Sequence, residues 1–427
     1  MKTKIVERQY LLPFILITSL FALWGFANDI TNPMVAGFQT IMELSASKAS
    51  LIQFAFYGGY ATMAVPAALF IRRFSYKKGI LLGLALYAVG AFLFIPAAAR
   101  ESFTFFCLSL YILTFGLAFL ETTANPFILS LGTKETSTRR LNLAQAFNPI
   151  GSLTGMAVAS WVVLPSLMSD AHRDADGVNH FAELDAATKA TERVHDLASI
   201  RDAYVALGIV VVVVLIVIAL AKMPRTAGSG MRTKGTLGRL WRNVDYREGV
   251  LTQMFYVGAQ IMTWTFIIQY ADNLGIDKAT AQKYNILAMG MFLCFRFVAT
   301  FLMRWVNSRR LLWIFGCGAA LCTLGAIVFV GPLGLGCLVA VSAFMSLMFP
   351  TIYGIALENV SAEDSTLGAS FLVMAIVGGS ILPPLQGSII DQGTILGHPA
   401  VNVSFVLPLF CFLMIIIYGI RRCRKSA

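Results

Sequence analysis

Charge is scarce in this chain. Asp, Glu, Lys and Arg together make up 13% of 427 residues, while 57% are hydrophobic; soluble globular domains carry about a quarter charged residues. That deficit excludes an ordinary soluble protein. Catalytic signatures are also missing. There is no His-Glu-x-x-His, which excludes one class of zinc peptidase, and no Gly-x-x-x-x-Gly-Lys-Ser/Thr, which excludes a self-contained ATP-driven pump. None of the four histidines falls deep in an apolar run. The seven cysteines lie in apolar runs or at the C-terminal end, and none forms a Cys-x-x-Cys pair, so neither a disulfide nor a metal site is expected. No catalytic residue and no cofactor is predicted, and the chain does not read as an enzyme. The apolar run from Leu11 is too long, and too poor in a cleavage site, for a cleaved signal peptide.

What is abundant is apolar sequence in runs of about 20 residues or more, the length that crosses a bilayer. Twelve spans can be placed, near 10–36, 47–71, 79–98, 103–131, 141–165, 203–223, 249–271, 283–303, 311–330, 332–356, 366–390 and 400–420. Basic residues fall into alternate connections: Lys2, Lys4 and Arg8; Arg72, Arg73, Lys77 and Lys78; Lys134, Arg139 and Arg140; seven bases against two acids from Lys222 to Glu248; Arg304, Arg309 and Arg310; and the C-terminal Arg421, Arg422, Arg424 and Lys425. The net charge of +11 is thereby explained by membrane topology, without nucleic acid. The same bias puts both termini in the cytoplasm of a bacterial-type inner membrane. The connection with Glu358, Glu363 and Asp364 breaks the pattern, but acids weigh little in the rule. One long external loop, Asp170–Asp202, carries eight acids and four bases, and its alanine-rich second half is a candidate surface helix.

The chain also repeats itself. Pro126 and Pro350 lie 224 residues apart, as do Leu143-x-x-x-Phe147 and Leu367-x-x-x-Phe371. Arg72-x-x-x-x-Lys77-Lys78 matches Arg304-x-x-x-x-Arg309-Arg310 at a separation of 232. The economical reading is all-α: an N-terminal six-helix half at 1–223 with an external loop at 166–202, a basic cytoplasmic linker at 224–247, and a C-terminal six-helix half at 248–427. That arrangement resembles major facilitator transporters, whose substrate sites lie near the membrane midplane between two halves.

Polar residues inside spans are the candidates for function, because a carboxylate at the bilayer centre costs roughly 2.5–3.5 kcal/mol on insertion scales. Glu121 and Asn125 share a face of the fourth span. Pro126 withholds its amide from the Thr122 carbonyl, which leaves that oxygen open to another donor. In the first span Trp24, Asn28 and Asn32 form a stripe, with Asp29 beside Asn32. Asn142, Gln145 and Asn148 recur every three residues in the fifth span, and Gln253, Tyr256, Gln260, Trp264 and Gln269 line the seventh. Gln53, Tyr57 and Tyr60 do so more loosely in the second, and Asn285 stands in the eighth. Amides with an aromatic plate suit a hydroxyl-rich ring; the competing reading of each amide is a bond between helices. An anionic solute would call for clustered cations, and Arg296 alone is available. Gly378-Gly379 and Pro383-Pro384 mark a kink or a close packing site in the eleventh span.

Leu120-Glu-Thr-Thr-Ala-Asn-Pro-Phe127 and Arg140-Leu-Asn-Leu-Ala-Gln-Ala-Phe-Asn148 resemble the fucose–proton symporter family of the major facilitator superfamily. So do Gln53-x-Ala-Phe-Tyr-x-Gly-Tyr60 and Tyr256-Val-Gly-Ala-Gln260, and the likeness runs over essentially all twelve spans. Members of that family take up L-fucose, or glucose and galactose, with a cation gradient. The resemblance implies that Glu121 ties sugar binding to protonation and that Gln145 and Asn148 line the cavity. It also makes Arg72–Lys78 a degenerate cytoplasmic gating motif, with Arg73 inside it and Arg304, Arg309 and Arg310 as its repeat. One departure stands out: the family has an acid in the first span where this chain has Asn32, and the nearest carboxylate is Asp29.

The expectation is therefore a monomeric importer of a small neutral sugar, L-fucose or a related hexose, coupled to a proton through Glu121 and Asp29. Trp24, Asn28, Asn32, Gln53, Tyr57, Glu121, Asn125, Gln145, Asn148, Tyr256, Gln260 and Trp264 are the expected sugar contacts, and membrane lipid is the remaining partner. A sodium-coupled glucose/galactose or N-acetylhexosamine importer, a drug/proton exporter and a transporter-like sugar receptor are the alternatives.

Overall fold

The computed structural model describes residues 5–44, 51–172, 179–224, 235–276, 278–395 and 397–424. The side chains of Asn32 and Gln53 lie outside the described part, as do Lys2, Lys4, Arg225, Arg232, Lys234 and Lys425.

The described chain is helical apart from turns and one hairpin of two-residue strands, Thr394–Ile395 with His398–Pro399. In lipid a backbone polar group has no water to bond, so apolar runs satisfy themselves as helices. Eleven helical stretches among the described residues are long and apolar enough to cross a bilayer. The seventh expected span is helical too, as Val244–Thr265 and Ile267–Asp272, but it carries too many polar groups for the same hydropathy criterion. Several spans begin at polar caps. Ser75, Asn243, Asn307 and Ser361 accept from the backbone N–H of Lys78, Tyr246, Arg309 and Asp364 respectively.

Four spans break in the same way. Leu93, Ala146, Leu347 and Phe405 interrupt spans three, five, ten and twelve, and each lies three residues before a proline: Pro96, Pro149, Pro350 and Pro408. A proline withholds a hydrogen bond from the carbonyl four residues back and crowds it, so the turn tightens there. Pro66 and Pro126, by contrast, lie inside unbroken helices. The eleventh span breaks at a 3-10 turn, Ala375–Val377, and runs on through Pro383 and Pro384. The two glycines that follow the turn serve close packing: a Cβ on Gly378 would meet the Met254 carbonyl oxygen at 2.2 Å.

The chain divides into two compact units, one of residues 15–124 and 147–225, the other of 1–14, 125–146 and 226–427. In the first, glycine allows backbones to touch. A Cβ on Gly151 would sit 1.9 Å from the Ala22 carbonyl oxygen, and one on Gly25 2.2 Å from that of Asn148. Among the described residues, the stretch read as an external loop forms short 3-10 turns followed by one helix, Ala186–Leu220, which continues through the sixth apolar run. Asp185 caps it, and Lys189 and Arg193 pair with Glu43 at 2.8 and 3.2 Å. Tyr204 of this helix stacks on Phe94 with centroids 3.8 Å apart. In the second unit the ninth-span helix Ser308–Val328 packs on the tenth and twelfth spans, where Gly318 and Gly316 meet Phe344 and Ile416. The acidic connection that broke the charge pattern is held by arginine: Arg309 donates to Glu358 at 2.5 Å, and Arg239 forks onto Asp364 with two bonds of 2.7 Å.

Candidate functional site

Each unit holds a polar cluster of its own. In the unit of residues 15–124 and 147–225, Glu121 and Asp29 are both buried, at 6% and 9% exposure. No Lys or Arg occupies the interior of a span in this unit. Two tyrosines stand near the carboxylates, Tyr60 in the field of Glu121 and Tyr57 in that of Asp29. Both come from the second-span helix Leu51–Arg73, where they sit three residues apart on neighbouring turns of one face. The Trp24 ring is buried against Phe21, 4.1 Å between centroids. Asn28 is partly exposed. The Asn148 amide donates to the Phe21 carbonyl at 3.2 Å, which fastens the fifth span to the first. Thr31 and Tyr204 share a bond of 2.8 Å, and Tyr87 donates to the Leu23 carbonyl at 3.1 Å. Neither of these ties was anticipated from the sequence. The tyrosines lie in apolar surroundings that give no periodic signal.

In the other unit the polar groups within the spans are amides, hydroxyls and the Arg296 guanidinium. Gln145 donates through Nε2 to Asn125 Oδ1 at 2.8 Å, and both side chains are buried. The Asn142 amide donates to Thr351 Oγ1 at 3.1 Å. Tyr256 donates to the Met345 carbonyl at 3.2 Å and also bonds Gln260, one turn along its own helix. The Trp264 N–H donates to Ser342 Oγ at 3.1 Å, with its ring edge-on to Phe292. Gln253 is fully buried, and neither polar atom of its amide has a partner among the described residues. Arg296 forms no ion pair among the described residues; it donates instead to the carbonyls of Ser346 and Gln145. The amides of the fifth span, evenly spaced in sequence, thus reach three different partners, and the helix break at Ala146 separates Asn148 from the other two.

The basic segments serve as helix ends. Lys77 donates to the Ala219 and Ala221 carbonyls at 2.7 and 2.8 Å, at the C-terminus of the sixth-span helix, where a cation is favoured. Arg72 is 2% exposed, while Arg73 and Lys78 lie over the Phe74 ring. Arg304 lies over Trp305. Arg140, fully buried, caps the fourth-span helix through the Ile128 and Leu129 carbonyls at 2.8 and 2.7 Å. In the second basic segment Arg309 is tied to Glu358.

A groove of about 790 Å³ lies along the first, fifth and sixth spans, lined by Ala22, Leu23, Ile150, Val158, Ala206 and Val210 among others. Its wall is largely apolar, with Ser19, Thr154, Ser166, Ser199 and Asp202 as its polar members, and includes none of the site residues singled out from the sequence.

Residues 15–384 match the model of the Major Facilitator Superfamily. The chain is 61% identical over 425 residues, 99% of either chain, to the L-fucose-proton symporter of Haemophilus influenzae. It is 35% identical to the L-fucose-proton symporter of Escherichia coli, over 97% of this chain and 93% of that one. Its structure superposes on the crystal structure of the major facilitator transporter FucP in the outward conformation with a TM-score of 0.88, at 33% identity, over 97% of this chain and 99% of that one. The apolar spans, the helical architecture and these matches agree, and the chain belongs to the major facilitator superfamily of membrane transporters.

Proposed function

We propose that this protein is a secondary active importer of L-fucose or a closely related neutral hexose, driven by inward proton flow. The reading is carried by one observation: near-complete, 61% likeness to a protein named an L-fucose-proton symporter, in a chain whose spans bury carboxylates and amides. Glu121 is the proton carrier in this reading. A neutral Glu121 removes a buried charge and eases occlusion of the loaded state. Asp29 takes the part of the first-span acid that Asn32 does not supply. Asn125, Gln145, Asn148, Asn28, Gln260 and the aromatic rings of Trp24, Tyr57, Tyr256 and Trp264 hold hydroxyls and ring faces. The protein acts as a monomer of two six-helix halves, 1–223 and 248–427, in a bacterial inner membrane with both termini cytoplasmic. The halves rock about a midplane site to alternate access. The basic segments at Arg72–Lys78 and Arg304–Arg310 set the cytoplasmic gate.

Asn32 supports a second reading, in which sodium is the coupling ion, held by carboxylate and amide oxygens. Reconstituted protein separates the two. Labelled L-fucose, D-glucose, D-galactose and N-acetylglucosamine are offered under a pH gradient and, separately, a sodium gradient. Accumulation of L-fucose under the pH gradient alone is expected. Accumulation under sodium alone replaces the coupling ion, and accumulation of none of the four overturns the sugar assignment.

A further inference from the structure

Arg296 lies three quarters of the way along the eighth-span helix Lys278–Leu302 and is 3% exposed. A buried cation in a membrane span normally faces a carboxylate or a water-filled cavity. Here its Nε donates to the Ser346 carbonyl at 2.6 Å and its Nη1 to the Gln145 carbonyl at 2.8 Å, with the guanidinium 4.5 Å from the Phe292 ring centroid. These two acceptors share a property. Pro149 stands four residues after Gln145, and Pro350 four residues after Ser346. Each carbonyl is therefore one whose helical donor a proline has removed. Both lie at breaks, Gln145 at the end of Ser137–Gln145 and Ser346 between Pro332–Met345 and Met348–Glu358. The Gln145 side chain meanwhile donates to Asn125.

We propose that Arg296 is a positioning residue that supplies, from one planar fork, the two donors that Pro149 and Pro350 withhold. It pins the fifth-span break to the tenth-span break, and so fixes the Gln145 amide against Asn125. A lysine presents a point charge and cannot span both oxygens in this way, whereas a guanidinium carries five donors in fixed directions. The consequence for transport rests on the sugar reading above; the clamp itself does not.

The test is a cycle of four full-length chains: native, R296M, P149A/P350A, and the triple variant. Restoring the two amides gives both carbonyls a helical donor, so the loss of Arg296 should matter less. Labelled L-fucose binding is read as affinity per correctly folded molecule, a quantity that mere loss of folded protein does not change. R296M is expected to weaken affinity about tenfold in the native background and less than about threefold in the P149A/P350A background, as non-additivity of coupled groups requires. Native affinity in R296M, or an equal loss in both backgrounds, overturns the proposal. If R296M is not recovered as a monodisperse protein, R296K takes its place in the same cycle, with the same pattern expected and the same two outcomes overturning it. Should the native chain bind no L-fucose, the sugar reading fails, and melting temperatures of the four chains decide the clamp. A loss from R296M that falls by more than half in P149A/P350A supports it, and an undiminished loss overturns it.

Discussion

In the unit of residues 15–124 and 147–225 the buried span groups include two carboxylates near phenols, beside hydroxyls such as Thr31 and Thr114. In the other unit the span interiors hold amides, hydroxyls and Arg296, bonded to carbonyls, with no carboxylate in the interior of any span. The first set can change charge at modest cost, since a carboxylate becomes neutral on taking up a proton. The second cannot: amides do not titrate, and a guanidinium stays protonated. Under the proposed function, proton handling and rigid hydrogen bonding fall to different parts of the chain. A symporter needs both, and separating them lets one titrate without loosening the other.

The comparison breaks most sharply at Glu121. Glu121→Gln is expected to lower pH-driven accumulation about a hundredfold or more while sparing sugar exchange, because a permanently neutral group cannot carry the proton. Concentrative uptake by that variant in proteoliposomes would sink the assignment. Asp29→Asn is the next largest effect, about a tenfold slowing of pH-driven uptake at unchanged exchange. Unchanged accumulation would leave Asp29 a structural residue and Glu121 the sole carrier. The amide cluster should answer differently. Gln145→Ala leaves Asn125 Oδ1 buried without its donor, so KM for the sugar should rise about tenfold with kcat within about threefold. A fall in kcat at constant KM would move Gln145 out of the binding role.

Two smaller effects sharpen the boundary between site and scaffold. Lys77→Met removes the cation from the end of the sixth-span helix and should cost about 1 kcal/mol of stability with native sugar affinity. A changed affinity would bring the basic segment into the transport cycle at the binding step. The smallest effect concerns Asp185, whose carboxyl is held below the usual carboxylate range by bonds from the Thr188 hydroxyl and the N–H groups of Thr188 and Ala187. Its folded value being the lower one, its contribution is complete above about pH 4 and fades as pH falls through the folded value. Asp185→Asn should remove that acid-side slope, read by hydrogen exchange at the start of Ala186–Leu220; an unchanged slope would assign it to another group.

Much of this molecule was legible without coordinates. Each expected span has a helical counterpart, because an apolar run in lipid has a single way to satisfy its backbone. The sixth span, read at 203–223, falls in the second half of a longer helix, Ala186–Leu220. Its helix begins at Ala186, since an alanine-rich, Asp-capped stretch extends a helix past the apolar run. Burial of Glu121 and Asp29 followed from their place in such runs. The fifth-span amides were read as one stripe and are not one. Periodicity assumes an unbroken helix, and Ala146 ends that assumption between Gln145 and Asn148. Tyr256 and Trp264, read as sugar contacts, also spend a donor on the tenth span. The role of Arg296 was hidden as well, although the prolines four residues after Gln145 and Ser346 already marked which carbonyls wanted a donor.

The residue pattern by itself determined that this chain crosses a membrane as helices, where those helices lie, and which side chains are too polar to be idle there. Those properties are local: each depends on hydropathy within about 20 residues. Only the tertiary structure decided which freed carbonyl meets which donor. A guanidinium at position 296 and carbonyls at 145 and 346 come together through packing between helices, and pairing at that range leaves no period in the sequence to read.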